Sequence, residues 1–168
     1  TEQDTKIIGY VHEQGKPSVI VMNKWDAVEK DTFTINTFNK KMQGDLKFMD
    51  YFQSIYVSAF TGQRVDKILA LASEVYEQSV RRVQTGVLND IIADAVVAVE
   101  PPSHNGKRLK IYYVTQGGIQ PPTFVFFVND SNLMHFSYER YLENTLRKTF
   151  EFKGSPIKLI FRNRKEEN

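Results

Sequence analysis

Asn23-Lys24-Trp25-Asp26 is the stretch whose residue types and spacing point most directly to chemistry. The carboxylate of Asp26 offers two acceptors side by side, and the edge of guanine offers two matching donors, N1–H and the exocyclic 2-amine. Adenine carries a lone pair at N1 and no 2-amine, so it would leave the carboxylate facing an acceptor. A site built on such a match rejects the wrong ligand because its own polar groups are left unpaired. In this reading Asn23 braces the loop and reaches toward the N7/O6 edge. The Lys24 stem packs over the purine face while its ammonium bonds loop carbonyls. The same residues could also form an Asx-capped strand-to-helix turn that binds nothing.

The elements around the motif put it where a ligand can reach. Thr1 followed three residues later by Asp4 predicts a helix start, and Ile7, Ile8 and Val11 continue with helical spacing. Gly15 and Pro17 end that helix. Val19, Ile20, Val21 and Met22 are apolar without alternation, the pattern of a strand buried on both faces of a parallel sheet. Asn23 follows at the C-terminal end of that strand, where open α/β sheets bind their ligands. A helix over residues 34–42, with Asp31 or Thr32 near its cap, a second short strand at 55–57 and a helix from Val65 past Tyr76 complete the first 80 residues. In the last helix Ile68, Leu71, Ala72 and Val75 share one face. Two strands make a poor sheet, so the first 80 residues read as part of a domain.

The second half changes character. Arg81-Arg82 leads to a helix with Leu88, Ile91, Ile92, Ala95, Val96 and Val99 along one stripe, stopped by Pro101-Pro102. Strands are expected at 109–114 and 124–128, then a helix from an N-cap at Ser137 through Phe150 with Tyr138, Leu142, Leu146 and Thr149 on one side. A last strand covers 157–162, and 165–168 reads as a frayed polar tail. The order α-β-β-α-β makes a small α+β domain.

Composition sets the outer bounds. The chain has 168 residues, 41% hydrophobic and 25% charged, with no Cys, so disulfides and Cys-ligated zinc are excluded. No run approaches the roughly 20 apolar residues of a membrane span, and no secretory signal is read at residues 1–9. Residues 1–80 hold nine Lys/Arg against eleven Asp/Glu, a charge of −2; residues 81–168 hold thirteen against nine, a charge of +4. Affinity for a phosphate backbone therefore belongs to the second half. Lys107, Arg108, Lys110, Arg147, Lys148, Arg162, Arg164 and Lys165 are its candidate RNA-facing cations, though for each of them a solvated surface charge is the commoner reading. Tyr112, Tyr113, Phe124, Phe126, Phe127 and Phe161 fall on strands where alternate residues must be core, and are not read as a stacking platform. His12, His104 and His135 are scattered, and no metal site or catalytic residue is assigned.

Ser58-Ala59-Phe60, followed by Thr61-Gly62, resembles the second guanine-contacting loop of GTPases, in which the Ala N–H donates to guanine O6. Together, helix, strand with NKWD, helix, strand with SAF, and helix resemble the last three-fifths of a Ras-like P-loop GTPase domain. The strings YVTQ (113–116), PPTFVFFVN (121–129), SYERYLEN (137–144), Leu146-Arg147 and GSPI (154–157) resemble the KH-like C-terminal domain of the EngA/Der family of ribosome-assembly GTPases. The resemblance covers essentially the whole chain. It implies an α/β remnant of a second GTPase domain at 1–80 and a KH-like domain at 81–168, the C-terminal part of a longer two-headed GTPase. It further implies GTP/GDP as ligand with Mg²⁺ in the intact protein, a cytoplasmic, ribosome-associated role in late assembly of the large subunit, and rRNA and the protein's own GTPase domains as partners, without a membrane. Guanine-site residues are then Asn23, Lys24, Asp26, Ser58, Ala59 and Phe60.

Two absences qualify these expectations. Neither Gly-x-x-x-x-Gly-Lys-Ser/Thr nor Asp-x-x-Gly occurs, so nothing here cradles phosphates, holds Mg²⁺ or positions water, and this chain alone is not expected to hydrolyse GTP. Gly117-Gly118 is not the Gly-x-x-Gly clamp of RNA-binding KH domains. Two functions stay open: the guanine-reading part of a GTPase with its KH-like regulator, or an RNA-docking or structural module that binds no nucleotide.

Overall fold

A computed structural model describes residues 1–31 and 33–165. Thr32 as a cap and residues 166–168 of the expected tail lie outside the described residues. The chain divides into two units, Thr1–Ser79 with Phe152–Pro156, and Val80–Glu151 with Ile157–Asn168. The fold class is α/β, and among the described residues no helix is long and apolar enough to cross a membrane.

In the first unit, α1 (Glu2–Glu13) starts from a full capping box between Thr1 and Asp4. It ends in a Schellman arrangement: Gly15 takes φ 66, its N–H bonds the His12 carbonyl, and the Lys16 N–H bonds that of Val11. Strand β1 (Val19–Met22) pairs in parallel with β2 (Gln53–Tyr56). The expectation of a strand buried on both faces is corrected, since no β1 residue is fully buried and Val21 is 40% exposed. With one neighbouring strand, the apolar run is only half covered. Helix α2 (Thr34–Asp45) has Phe33 as its N-cap residue, and the Asp31 carboxylate accepts both the Phe33 N–H and the Thr34 hydroxyl. These two bonds hold its carboxyl below the ordinary range. In α3 (Lys67–Val80) Val75 and Ser79 are buried, whereas Ala72 is exposed and not on the inner face.

Residues 152–156 complete this unit. The Gly154 carbonyl accepts from Ser18 N–H and its N–H donates to the Tyr51 carbonyl, so the segment ties the chain just before β1 to the chain just before β2. Gly154 sits at φ 73, and a Cβ there would lie 2.5 Å from Val75 Cγ2 and 3.2 Å from the Ser18 carbonyl oxygen. Only glycine fits that place without strain.

The second unit has α4 (Thr85–Ala98), a short hairpin of β3 (Ser103–His104) and β4 (Lys107–Arg108), β5 (Ile111–Gly118), β6 (Thr123–Val128), α5 (Phe136–Phe150) and β7 (Lys158–Asn163). The sheet order is β5-β6-β7, antiparallel then parallel. The hairpin was not expected. Its turn residues Asn105 (φ 50) and Gly106 (φ 74) are the Asn-Gly pair that favours a tight hairpin. Strand β5 runs through Gly118, so the connection to β6 is shorter than the sequence suggested. Two further corrections concern α5. His135, not Ser137, is its N-cap residue, with Nδ1 accepting the Ser137 N–H. Phe150, not Thr149, completes the buried stripe of Tyr138, Leu142 and Leu146 at steps of four. The edge of β5 is closed by Asn89 of α4, whose side-chain amide bonds both the N–H and the carbonyl of Val114.

Candidate functional site

Asn23 leaves the end of β1 and Ser58 lies two residues past β2, so the parallel pairing brings both segments to one end of the sheet. The ladder continues past the strands, with Val57 N–H on the Met22 carbonyl (2.9 Å) and Trp25 N–H on the Val57 carbonyl (3.0 Å). Two side-chain bonds then tie the loops together. The Ser58 hydroxyl donates to Asp26 Oδ1 at 2.5 Å, and the Ala59 N–H donates to Asn23 Oδ1 at 3.0 Å. Ser58 is fully buried and its Oγ also accepts from the Thr61 N–H at 3.1 Å. It therefore holds Asp26 in place and does not itself reach a ligand. Lys24 takes the left-handed conformation, φ 61, where the strand turns into the short 3-10 helix Trp25–Ala27. A left-handed non-glycine residue costs on the order of 1–2 kcal/mol, a strain that collects at binding loops.

The loop is anchored by the residue between the polar ones. Trp25 is 4% exposed, 4.6 Å from the Tyr56 ring and 5.6 Å from that of Phe38 on α2. The Tyr56 hydroxyl donates to Asn39 of the same helix at 2.6 Å, and burial raises the Tyr56 pKa. The sequence reading left Trp25, Phe38 and Tyr56 unassigned. An aromatic inside an otherwise polar motif was the signal available for the first of them.

Asn23, Lys24, Asp26, Ala27, Ala59 and Phe60 line a cavity of about 350 Å³, at the lower end of the range for small-molecule sites. Phe60 is 92% exposed at its edge. Five of the six expected guanine-site residues thus meet at one cavity, with Ser58 behind it. The Ala59 N–H engages Asn23 Oδ1 in this structure, so a ligand carbonyl would have to share or displace that bond.

The candidate RNA-facing cations fall on several elements. Lys107 and Arg108 lie on the β3–β4 hairpin, where Arg108 pairs with Glu100 at 2.6 Å. Lys110 precedes β5. Arg147 is only 10% exposed at its side chain and lies 3.5 Å from Glu143, so it is not a surface cation. Lys148 is exposed on the same helix. Arg162 is exposed on β7, and the Arg164 guanidinium sits 4.9 Å from the Tyr112 ring centre. Among the described residues no three His, Asp or Glu side chains come together as a metal site would require.

Comparison with known proteins bears on both units. A family model described as the KH-domain-like of EngA bacterial GTPase enzymes, C-terminal, matches residues 82–162. The chain is 56% identical to the GTPase Der of Acetivibrio thermocellus over 167 residues, which is 99% of the chain and 38% of that protein. It is 56% identical to that of Ruminiclostridium cellulolyticum over 168 residues, 100% of the chain and 38% of the relative. With the GTPase Der of Clostridium tetani the identity is 57% over 166 residues, 99% of the chain and 38% of the relative. The chain thus spans 38% of the length of these curated relatives.

Proposed function

The chain belongs to the EngA/Der GTPase family, and on that premise we propose that its first unit reads the guanine base of GTP or GDP while its second unit faces RNA. The observation that carries the first part is the pair of ties Ser58–Asp26 and Asn23–Ala59, which hold both loops against one cavity. An ionised carboxylate accepts about four hydrogen bonds. With Oδ1 engaged once by Ser58, Asp26 keeps acceptor sites on both oxygens for N1–H and the 2-amine. Ser58 needs no ligand contact to matter, because it fixes the direction in which those sites point. Lys24 offers its stem to one face of the base and Phe60 its exposed ring at the cavity edge. GTP supplies the phosphoryl group in the intact protein; the residues here can bind and orient only its base, and none of them fits Mg²⁺ or the phosphates.

The wider role follows the family. We infer a place in late assembly of the large ribosomal subunit, in the cytoplasm and on the ribosome, with rRNA as partner. The charge of residues 81–168, +4 against −2 for the first 80, supports placing the RNA-facing surface there. A second reading shares that asymmetry: the chain docks on RNA and binds no nucleotide.

Ligand-observed NMR of the 168-residue chain with GDP, and ADP as control, tests the guanine assignment. Base contacts without phosphate contacts should give a dissociation constant of roughly millimolar, with GDP preferred over ADP. Asp26→Asn should abolish the preference, since an amide presents a donor where the base presents one. A variant that still preferred GDP would sink the assignment of this loop. No guanine-specific response in the parent chain would leave the docking reading in its place.

A further inference from the structure

The two faces of the β5-β6-β7 sheet differ in kind. Along β6, Phe124, Phe126 and Val128 are fully buried on the side of α4 and α5 and alternate with Thr123, Val125 and Phe127. On the face turned away from those helices, Tyr113 pairs directly with Phe127 across β5 and β6. Their rings are stacked 4.4 Å apart at 17°, and Tyr113 keeps 45% of its surface exposed. Arg162 of β7 stands in register with Phe127 on its other side and is exposed. One line across the sheet therefore reads tyrosine, phenylalanine, arginine. The next line, Thr115, Val125 and Ile160, carries no aromatic or charged side chain, and Val125 in its middle keeps only 6% of its surface exposed. Beyond it Gly117 has no side chain; an added Cβ would lie 2.9 Å from Val125 Cγ2. It is the Tyr113–Phe127–Arg162 line that brings an exposed aromatic and an exposed cationic residue together on this face.

Strands β5, β6 and β7 contain Lys158 and Arg162 but no Asp or Glu, whereas α4 contains Asp90 and Asp94 but no Lys or Arg, and α5 mixes Glu139 and Glu143 with Arg140, Arg147 and Lys148. An anionic partner is drawn to the sheet and not to α4. A cross-strand aromatic pair by itself is an ordinary sheet stabiliser. An exposed ring face, a guanidinium in line with it and no carboxylate on the three strands suit a flat ligand that carries phosphate.

We propose that this face binds single-stranded RNA, with one unpaired base stacked on the Tyr113–Phe127 pair and an adjoining phosphate on Arg162. Bases in a duplex are already stacked and cannot present a face to Tyr113. The proposal rests on the RNA-facing reading of the second unit and moves the contact from any helix groove to the sheet.

The test is fluorescence anisotropy of the whole chain at low salt. One labelled probe is oligoadenylate of roughly a dozen nucleotides; the other is an RNA duplex of the same length. The single strand should bind more tightly. Tyr113→Leu keeps an apolar cross-strand contact but has no flat ring, and should weaken binding by roughly five- to a hundredfold. Tyr113→Phe should bind as the parent does, and circular dichroism would confirm that both variants fold. Arg162→Gln should reduce the slope of log affinity against log salt by about 0.7. If Tyr113→Leu bound as tightly as the parent, or the duplex as tightly as the strand, the stacking site would be overturned while the RNA reading stood. If the parent chain bound neither probe at low salt, both would fall.

Discussion

The two units hold themselves together in different ways. In the first, no residue of α1, β1 or α2 is fully buried. Its core consists mainly of residues at turns and element ends, among them Trp25, Leu46, Met49, Val57 and Phe152. Around them, hydrogen bonds link segments far apart in sequence, Ser58 to Asp26 at one end of the strands and Gly154 to Ser18 and Tyr51 at the other. In the second unit the buried residues are strand and helix interiors, four of the six positions of β6 and every fourth position of α5. The first unit's core lies at turns and element ends and the second's in strand and helix interiors, and both add hydrogen bonds between distant segments, in the second Asn89 to Val114 and Tyr141 to Ala95. The proposed guanine site needs two loops held in a fixed direction, which hydrogen bonds give and apolar contact does not.

Substitutions can break or sharpen that contrast. The largest effect is expected from Phe126→Ala, which empties a fully buried site of the second unit and should cost about 3–5 kcal/mol. Urea unfolding followed by far-UV circular dichroism would show it, while the fluorescence of Trp25, the single tryptophan and a reporter of the first unit, should keep its midpoint. Gly154→Ala should do the reverse. The left-handed φ and the Val75 contact together should cost about 2–3 kcal/mol, seen as an earlier Trp25 transition. Adding Val75→Ala should cost less than the sum of the two changes, because it removes the clash. Ser58→Ala should cost about 1 kcal/mol in stability and also narrow the preference for GDP over ADP in ligand-observed NMR, because Asp26 loses the bond that aims it.

The smallest effect is one of pH. The Glu139 carboxyl is raised above its ordinary 4.5, first by burial and then by the charge of Glu143. Between the ordinary and the raised value the folded state holds the proton more firmly than the unfolded one, so stability falls as pH rises through that window. Glu139→Gln should therefore melt higher than the parent above the window and no differently below pH 4.5 in a thermal scan.

Much of this was legible in the residues. The capping box at Thr1, the Gly15 stop, the position of both loops after short apolar strands and the stripe of α5 are local patterns set by backbone geometry, and they were read with small shifts of boundary. Family membership was legible from strings such as PPTFVFFVN (121–129). The burial of β1 is not legible, because an apolar run says what a strand can tolerate and not how many neighbours it has. The N-cap of α5 is not legible from propensity, because Ser137 is of the commoner capping type whereas His135 makes the bond. The hairpin, absent from the expected elements, has its local signal in Asn105-Gly106.

What the sequence alone determined is the chemistry available: a carboxylate two residues after an Asn-Lys pair, a serine and an alanine past the second strand, and a basic second half. Tertiary structure decided how these groups are arranged. Ser58 lies 32 positions from Asp26, Gly154 closes on Val75 from far along the chain, and Tyr113 faces Phe127 only because of the register of β5 on β6. Such pairings depend on the path of the whole backbone, whereas residue type and spacing constrain only its local course.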